Sequence, residues 1–358
     1  MGRRDLRRRI DVPANEQARR PVRSSRARRA ARHGRLLGMG LTPPTDDPDA
    51  LVWKGALGPG QATVRRLGET WAVEVSATEL PGELRIGSEA AVGGLRRVFM
   101  GKDVQTGDMI FDDAVRIDGP EALVRAACTV GTRRLLTRWV PDHELQLQAQ
   151  RLTLTFASHS EQRLVARLRT LRSLLQSLCR AQGNLAVRLL RNAARDPVAQ
   201  VRTLSLLTLL EGPLQTLDAR RRRRAILVGA GHPQASLRKA AAPLLVGLLN
   251  TAEVAFEALP ERALWTLLAF GDPARQVEAA HRLGAVGGAD SVPPLAEHAD
   301  AFFGTGALKT AARAAIAQIL ERTGGLRSGG LSLAEDQAGE LSLLGQGLDD
   351  DDDLVEDA

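Results

Sequence analysis

The stretch "RDPVAQVRTLSLLTLLEG", Arg195 to Gly212, opens with Asp-Pro, reaches a Val201–Arg202 pair and then turns into leucine. Two later stretches share its plan: "HPQASLR" begins at His232 and "DPARQVE" at Asp272, so the three starts lie 36 and 40 residues apart. That spacing is the length of one helix pair with its turns. Proline stands second in each, an apolar residue (Val201, Leu237, Val277) sixth and a charged residue seventh. A carboxylate in first place caps the exposed N–H groups of a helix start, and proline beside it loses no hydrogen bond. Asp196, Pro197, Arg202, His232, Pro233, Arg238, Asp272 and Pro273 are therefore read as structural. They open a recurring helix, with His232 replacing the capping Asp and with Arg202 and Arg238 directed along the exposed or inter-unit side.

Helical periodicity surrounds these starts. After Ser160, an N-cap residue type, Leu164, Leu168, Leu171, Leu175 and Leu178 recur at three- and four-residue spacing. "NLAVRLLRNAAR", "DARRRRRAILVGAG", "PERALWTLLAFGD" and "GALKTAARAAIAQILER" supply further helices. "LGAVGGADSVPPLAEHA" is read as joining the paired helices of the third unit, with Pro293 at a helix start. The Asp-Pro-x-x-x-Val-Arg plan resembles HEAT repeats. The resemblance implies a right-handed α-solenoid over about residues 160–324, a protein-binding role, and polar Asp–Arg ladders between successive units. Asp196 with Arg202 matches that pattern; His232 with Arg238 matches in part, and Asp272 meets Glu278 where the pattern has arginine.

The amino-terminal half reads differently. "LVWKGAL", "QATVRRL", "WAVEVSA" and "ELRIG" are four short β-prone runs separated by glycine turns. "VFMGKDVQTGDMIFDDAVRIDG" reads as a hairpin around Thr106–Gly107–Asp108 whose second arm ends at Ile117. Two short helices follow, one opened by Pro120 and the break falling at Gly131. "HELQLQAQRLTLTFA" then alternates as two strands, or as one with an irregular turn near Gln150. This half resembles a domain of uncharacterised bacterial proteins marked by Gly-Asp, Phe-Asp before a strand, helices and an apolar hairpin. No activity is implied by it. Phe111 is expected to anchor the core and Asp112 or Asp113 to cap a turn.

Charge is segregated along the chain. Residues 1–36 hold 13 arginines against three acidic residues, and residues 335–358 hold ten acidic residues, with the run Asp349–Asp353, and no basic one. Both ends lack apolar periodicity and are expected to be disordered. The head is a basic arm for nucleic acid or an acidic surface, a solvated tail, or a start set too early, with Met39 opening the protein. The tail is an interaction segment, a solubilising segment or an intramolecular mimic. "GGLSL" (Gly329–Leu333) returns as "GELSL" (Gly339–Leu343), as binding motifs or as a slipped duplication. The expected organisation is a basic arm over 1–46, an α+β domain over 47–157, a HEAT-like all-α solenoid over 158–324 and an acidic tail over 325–358.

Composition bounds the function. Only four of the 49 basic residues are lysine, tyrosine is absent and aromatic residues make up 3%. Codon usage in a GC-rich genome accounts for such arginine content without any appeal to phosphate recognition. Cys128 and Cys179 lack metal-ligand spacing and sit in apolar helical contexts, as buried free thiols do. The apolar runs fall short of the roughly 18 residues of a membrane span. The sequence has no Gly-x-Ser-x-Gly, no His-Glu-x-x-His, no P-loop and no paired catalytic carboxylates. No catalytic, cofactor-binding or metal-ligating residue is assigned, and no cofactor is expected. The expected function is a cytoplasmic, non-catalytic protein–protein interaction scaffold. The alternative is a nucleic-acid-binding HEAT-like protein that uses the basic arm and the cluster Arg220, Arg221, Arg222, Arg223 and Arg224. That cluster is read as a solvated first helical turn, or as a contact for the acidic tail, an acidic partner or phosphates.

Overall fold

The computed structural model describes residues 36, 38–42, 52–88, 103–139, 144–158, 160–301 and 305–323. The basic arm up to residue 35, the first arm of the expected hairpin through Lys102, the histidines His143 and His159, and the acidic tail lie outside them. An antiparallel sheet region comes first and a helical region follows.

The strands are β1 (Leu41–Thr42), β2 (Val52–Leu57), β3 (Gly60–Leu67), β4 (Thr70–Ser76), β5 (Arg85–Ser88), β6 (Val115–Asp118), β7 (Glu144–Gln148) and β8 (Arg151–Ala157). They form one sheet in the order β1-β2-β3-β4-β8-β7-β5-β6. Register explains why alternation matters here. Trp53 faces Val64, which faces Val73, then Leu154, then Leu145. A second row runs Ala62, Val75, Leu152, Leu147, Ile86, Ile117. All these side chains are buried, so one face of the sheet is a continuous apolar surface. The turn between β7 and β8 puts Ala149 and Gln150 at φ +48° and +64°, a two-residue hairpin built without glycine or asparagine. β1 carries the sheet into the segment assigned to the basic arm, because Leu36 and Leu41 are buried in this core.

Among the described residues three helices interrupt the strands: α1 (Met109–Ala114), α2 (Glu121–Ala127) and α3 (Val130–Trp139). α1 corrects the expected hairpin arm. Asp108 accepts from the N–H of Phe111, and the Asp112 carboxylate accepts from Thr106 N, Thr106 Oγ1 and Gly107 N, so local side-chain bonds turn the chain helical before β6 begins. Phe111 is buried, as expected. The break between α2 and α3 falls at Cys128–Thr129 rather than Gly131, with Thr129 Oγ1 accepting from Thr132 N (3.3 Å).

Among the described residues nine helices follow: α4 (Glu161–Gly183), α5 (Leu185–Arg195), α6 (Ala199–Glu211), α7 (Ala219–Ala230), α8 (Ala235–Asn250), α9 (Glu261–Phe270), α10 (Pro273–Val286), α11 (Val292–Ala299) and α12 (Gly306–Arg322). The leucine stripe of α4 packs into the core of the sheet, whereas α5–α12 share a second core of leucine and alanine. Packing thus divides the chain between α4 and α5, later than residue 157. The helices pack as successive pairs, α5 on α6, α7 on α8, α9 on α10 and α11 on α12. α6 also touches α8, α8 touches α9, and α10 touches α12. The segment around Gly287–Gly288 therefore leads into a fourth pair instead of joining the helices of the third.

Glycine sets how closely α10 and α12 approach. A Cβ on Gly284 would lie 2.9 Å from Ala315 Cα and 2.4 Å from Gln318 Oε1, while one on Gly247 in α8 meets nothing within 4 Å. Alanine is favoured over glycine in a helix by about 1 kcal/mol. Gly247→Ala is therefore expected to stabilise the protein by about 0.5–1 kcal/mol. Gly284→Ala is expected to destabilise it by about 1–3 kcal/mol through overpacking. Urea unfolding of the two variants should give shifts of opposite sign.

Candidate functional site: the clasp and the basic helical face

The three recurring turns share a sequence plan but not one geometry. Asp272 is the N-cap of α10, accepts from Arg275 N (3.0 Å), and Pro273 is the first helical residue, as expected. At the first two turns the helix begins three residues after the capping position, at Ala199 and Ala235. There Asp196 Oδ1 accepts from Val198 N (3.0 Å) and His232 Nδ1 accepts from Gln234 N (3.1 Å), the same small turn made by two chemically different acceptors. Val201 and Leu237 are buried beyond these turns, and Val277 is half-buried.

Arg202 and Arg238 do not build a ladder between units. Arg202 Nη1 donates to the carbonyls of Asp196 (2.9 Å) and Pro197 (3.3 Å). Arg238 Nη1 donates to those of His232 (3.0 Å) and Pro233. Each arginine staples its own turn, satisfying carbonyls that the proline-containing turn leaves outside the helix. The ladder implied by the family resemblance is thus replaced by a local closure.

Asp196 has a second task. Arg133 of α3 donates from Nη1 and Nη2 to its two carboxylate oxygens at 2.8 Å each, with both side chains almost wholly buried. Arg133 also donates to the carbonyl of Cys128 (2.9 Å) and, through Nε, to Asp108 (2.9 Å). Burial opposes the Arg133 charge, but the hydrogen bonds to Asp196 and Asp108 outweigh it, and its pKa is raised. Beside it, Gly107 has φ +92° and approaches α6 so closely that a Cβ would meet Gln200 at 2.9 Å. Arg125 of α2 reaches the carbonyl of Leu204 (3.3 Å) and Thr208 Oγ1. Arg188 of α5 donates to Ala126 O (2.9 Å) and Ser177 Oγ (2.8 Å), and Asn192 donates to Arg125 O (2.9 Å). These bonds clasp the sheet region to the first helix pair. They consume the Gly-Asp motif, so its role is structural.

Two polar clusters beside the clasp and α9 are closed on themselves. Burial pushes the Cys128 thiol up to about 12. Trp265 Nε1 donates to Ser291 Oγ (2.7 Å), which donates to Glu261 (2.5 Å), a closed set of bonds beside α9. Among the described residues no group of three or more His, Cys, Asp or Glu is placed to hold a metal ion, and no helix is long and apolar enough to cross a membrane.

What stays open is charge. Residues 161–250, spanning α4–α8, carry 16 basic residues against four acidic ones, a net +12. Residues 37–160 and 251–323 each sum to −3. Counting charge per element instead of per terminus exposes this block in the sequence. Of the arginine run on α7, Arg221 pairs with Asp218 (3.4 Å), Arg222 with Glu253 (3.5 Å), and Arg223 donates to the carbonyl of Glu253 (3.1 Å). The five side chains thus divide into an anchored set and an open one. Among the described residues no hydrogen bond or ion pair holds Arg220, Arg224, Arg191 or Lys239. Arg220 and Arg224 are one helical turn apart and share a face.

No protein-family model matches the chain, and no significant match is found among curated proteins or solved structures.

Removing one member of a buried, hydrogen-bonded ion pair strands the other and costs about 3–5 kcal/mol. Asp196→Ala is expected to lower stability by that amount. In the double variant with Arg133→Met the costs should fall well short of additive, by about 2 kcal/mol, in a denaturation cycle. Additive costs would mean that the pair is not energetically coupled.

His232 gives a pH signature. Burial, with Arg238 as the lesser cause, lowers its pKa below the ordinary 6.5. Above that value folded and unfolded chains are both neutral there. As pH falls through it, the unfolded chain takes the proton first, so stability declines until the folded pKa is passed. His232→Asn keeps an acceptor for Gln234 N without titrating. Its melting temperature should fall less than the parent's between pH 7.5 and 5.5, read by calorimetry.

Proposed function

We propose that this chain is a non-catalytic interaction scaffold whose helical half is a HEAT-like repeat array, and that α4–α8 receive an acidic segment of a partner protein. The net +12 of residues 161–250, with Arg191, Arg220, Arg224 and Lys239 held by no side-chain bond among the described residues, carries this reading. Guanidinium groups fixed on packed helices present fork-shaped donors that fit carboxylates, and they do so without first losing side-chain partners. The successive helix pairs and the turn recurring at 36 and 40 residues support the repeat reading.

Nucleic acid is the second reading, favoured by the same charge and the 13 arginines of residues 1–36. The tryptophans weigh against single strands, although Phe270 at the end of α9 is exposed. Trp53, Trp71 and Trp139 are buried, and Trp265 is half-buried with its N–H bonded and Arg262 over its ring, so none is an open stacking platform.

Fluorescence anisotropy with a labelled acidic peptide, a duplex and a single strand, over a salt series, separates the readings. Peptide binding that weakens about tenfold with Arg220→Glu plus Arg224→Glu, a loss of about 1.4 kcal/mol, is the expected result. Displacement of the peptide by duplex of equal charge would move the assignment to nucleic acid, and binding of neither at low salt would remove both.

A further inference from the structure

We propose that the chain's own acidic terminus occupies the basic face of α7 and α8, competing there with the partner. This rests on the reading of α4–α8 as an acid-binding surface and adds a regulator to it. Charge complementarity selects α4–α8, and within that block α7 and α8 lie nearest the tail, because α9 packs on both. Residues 335–358 carry ten acidic and no basic residues, and the only strongly positive block among the described residues is α4–α8, since residues 251–323, next to the tail, sum to −3. The tail is thus repelled by its immediate neighbourhood and attracted two helix pairs back.

The reach is sufficient. The described chain ends at Thr323, and Asp349 follows 26 residues later. Twenty-six residues reach roughly 27 Å as a random coil and about 85 Å at full stretch. α12 packs on α10, α10 on α9, and α9 on α7 and α8. With about 10 Å between neighbouring helices, two pair steps amount to about 20 Å. The length also fits. The nine residues Asp349–Asp357 cover about 30 Å when extended, whereas α7, with 12 residues, is about 18 Å long. Such a segment runs from Arg220 and Arg224 at the start of α7 to Lys239 in the first turns of α8, at the other end of the pair. Tethering raises the tail's local concentration to the order of millimolar, so at micromolar protein it acts within one chain rather than between two. The arginine arm of residues 1–36 is the rival occupant. The α7–α8 face is favoured over it because its open charges stand on a packed helix, which lowers the ordering cost of docking.

The four lysines make a direct test. A zero-length carbodiimide joins carboxylates only to amines, and the amines are Lys54, Lys102, Lys239, Lys309 and the amino terminus. Lys239 is exposed on α8, whereas Lys309 lies on α12, closest along the chain to the tail. Full-length protein, mixed from equal parts of light and heavy-nitrogen chains, is crosslinked and the linked peptides are mapped. The expected product joins the Asp349–Asp353 peptide to Lys239 within one isotope, and disappears at 0.5 M salt or with Arg220→Glu plus Arg224→Glu. Dominant links to Lys309, Lys54 or the amino terminus, or dominant mixed-isotope pairs, would overturn the proposal.

A second measurement uses the full chain with Asp349→Asn through Asp353→Asn. It should bind the acidic peptide about tenfold more tightly than the parent at 50 mM salt and equally at 0.5 M, a difference of about 1.4 kcal/mol. Equal affinity at low salt overturns the competition. Failure of both chains to bind peptide while the Lys239 link persists overturns the scaffold reading and leaves tail docking standing, so the two failures are distinguishable.

Discussion

The fork between Arg133 and Asp196 is the constraint on which the arrangement of the molecule rests. One carboxylate closes the turn that opens α6, through Val198 N, and receives both terminal nitrogens of an arginine from the sheet region. The same arginine holds Asp108 at the start of α1 and the carbonyl that ends α2. A buried ion pair adds little net stability, because desolvation offsets the attraction between the charges. Its consequence is geometric: the fork fixes α3 against the turn that opens α6 while the same arginine holds Asp108 and the Cys128 carbonyl. Gly107 enforces the same placement sterically, since nothing larger fits between that loop and α6.

Arginine explains much of the rest. In a chain with four lysines and no tyrosine, the polar ends of helices are closed by guanidinium groups reaching backbone carbonyls. Arg322 of α12 donates to the carbonyls of Gly284 (2.7 Å) and Ala285 (2.9 Å) at the end of α10, and Arg313 to that of Ala299 (3.2 Å) at the end of α11. Cations at helix C-termini satisfy orphan acceptors and meet the negative end of the dipole. The arginines at these helix ends are therefore structural, whatever charge they add.

The sheet was legible from alternation because one face is buried and the other is not, as the rows from Trp53 to Leu145 and from Ala62 to Ile117 show. Helix starts at Ser160 and Asp272 were legible because capping is local. What escaped the sequence was decided by side-chain bonds and tertiary contacts that periodicity does not reveal. α1 replaces a strand through the bonds of Asp108 and Asp112, and α4 joins the sheet's core although its stripe is an ordinary helical one. Asp196 and Asp272 look alike in sequence, yet only Asp196 meets a buried guanidinium 63 residues away. The basic block of residues 161–250 was present in the sequence but hidden by the more concentrated charges at the two termini.

Function then follows from which arginines are already occupied. Arg133, Arg125, Arg188, Arg202 and Arg238 are committed to carboxylates, hydroxyls or carbonyls of the fold, and no partner can recruit them without breaking it. The staples at Arg202 and Arg238 also remove the recurring turns from consideration as a binding ladder, although they are the clearest motif in the chain. On α7 the division is visible within five residues: Arg221, Arg222 and Arg223 are anchored by Asp218 and Glu253, while Arg220 and Arg224, one turn apart, are not. Anchoring three neighbours fixes the orientation of α7, and with it the backbone positions from which Arg220 and Arg224 project.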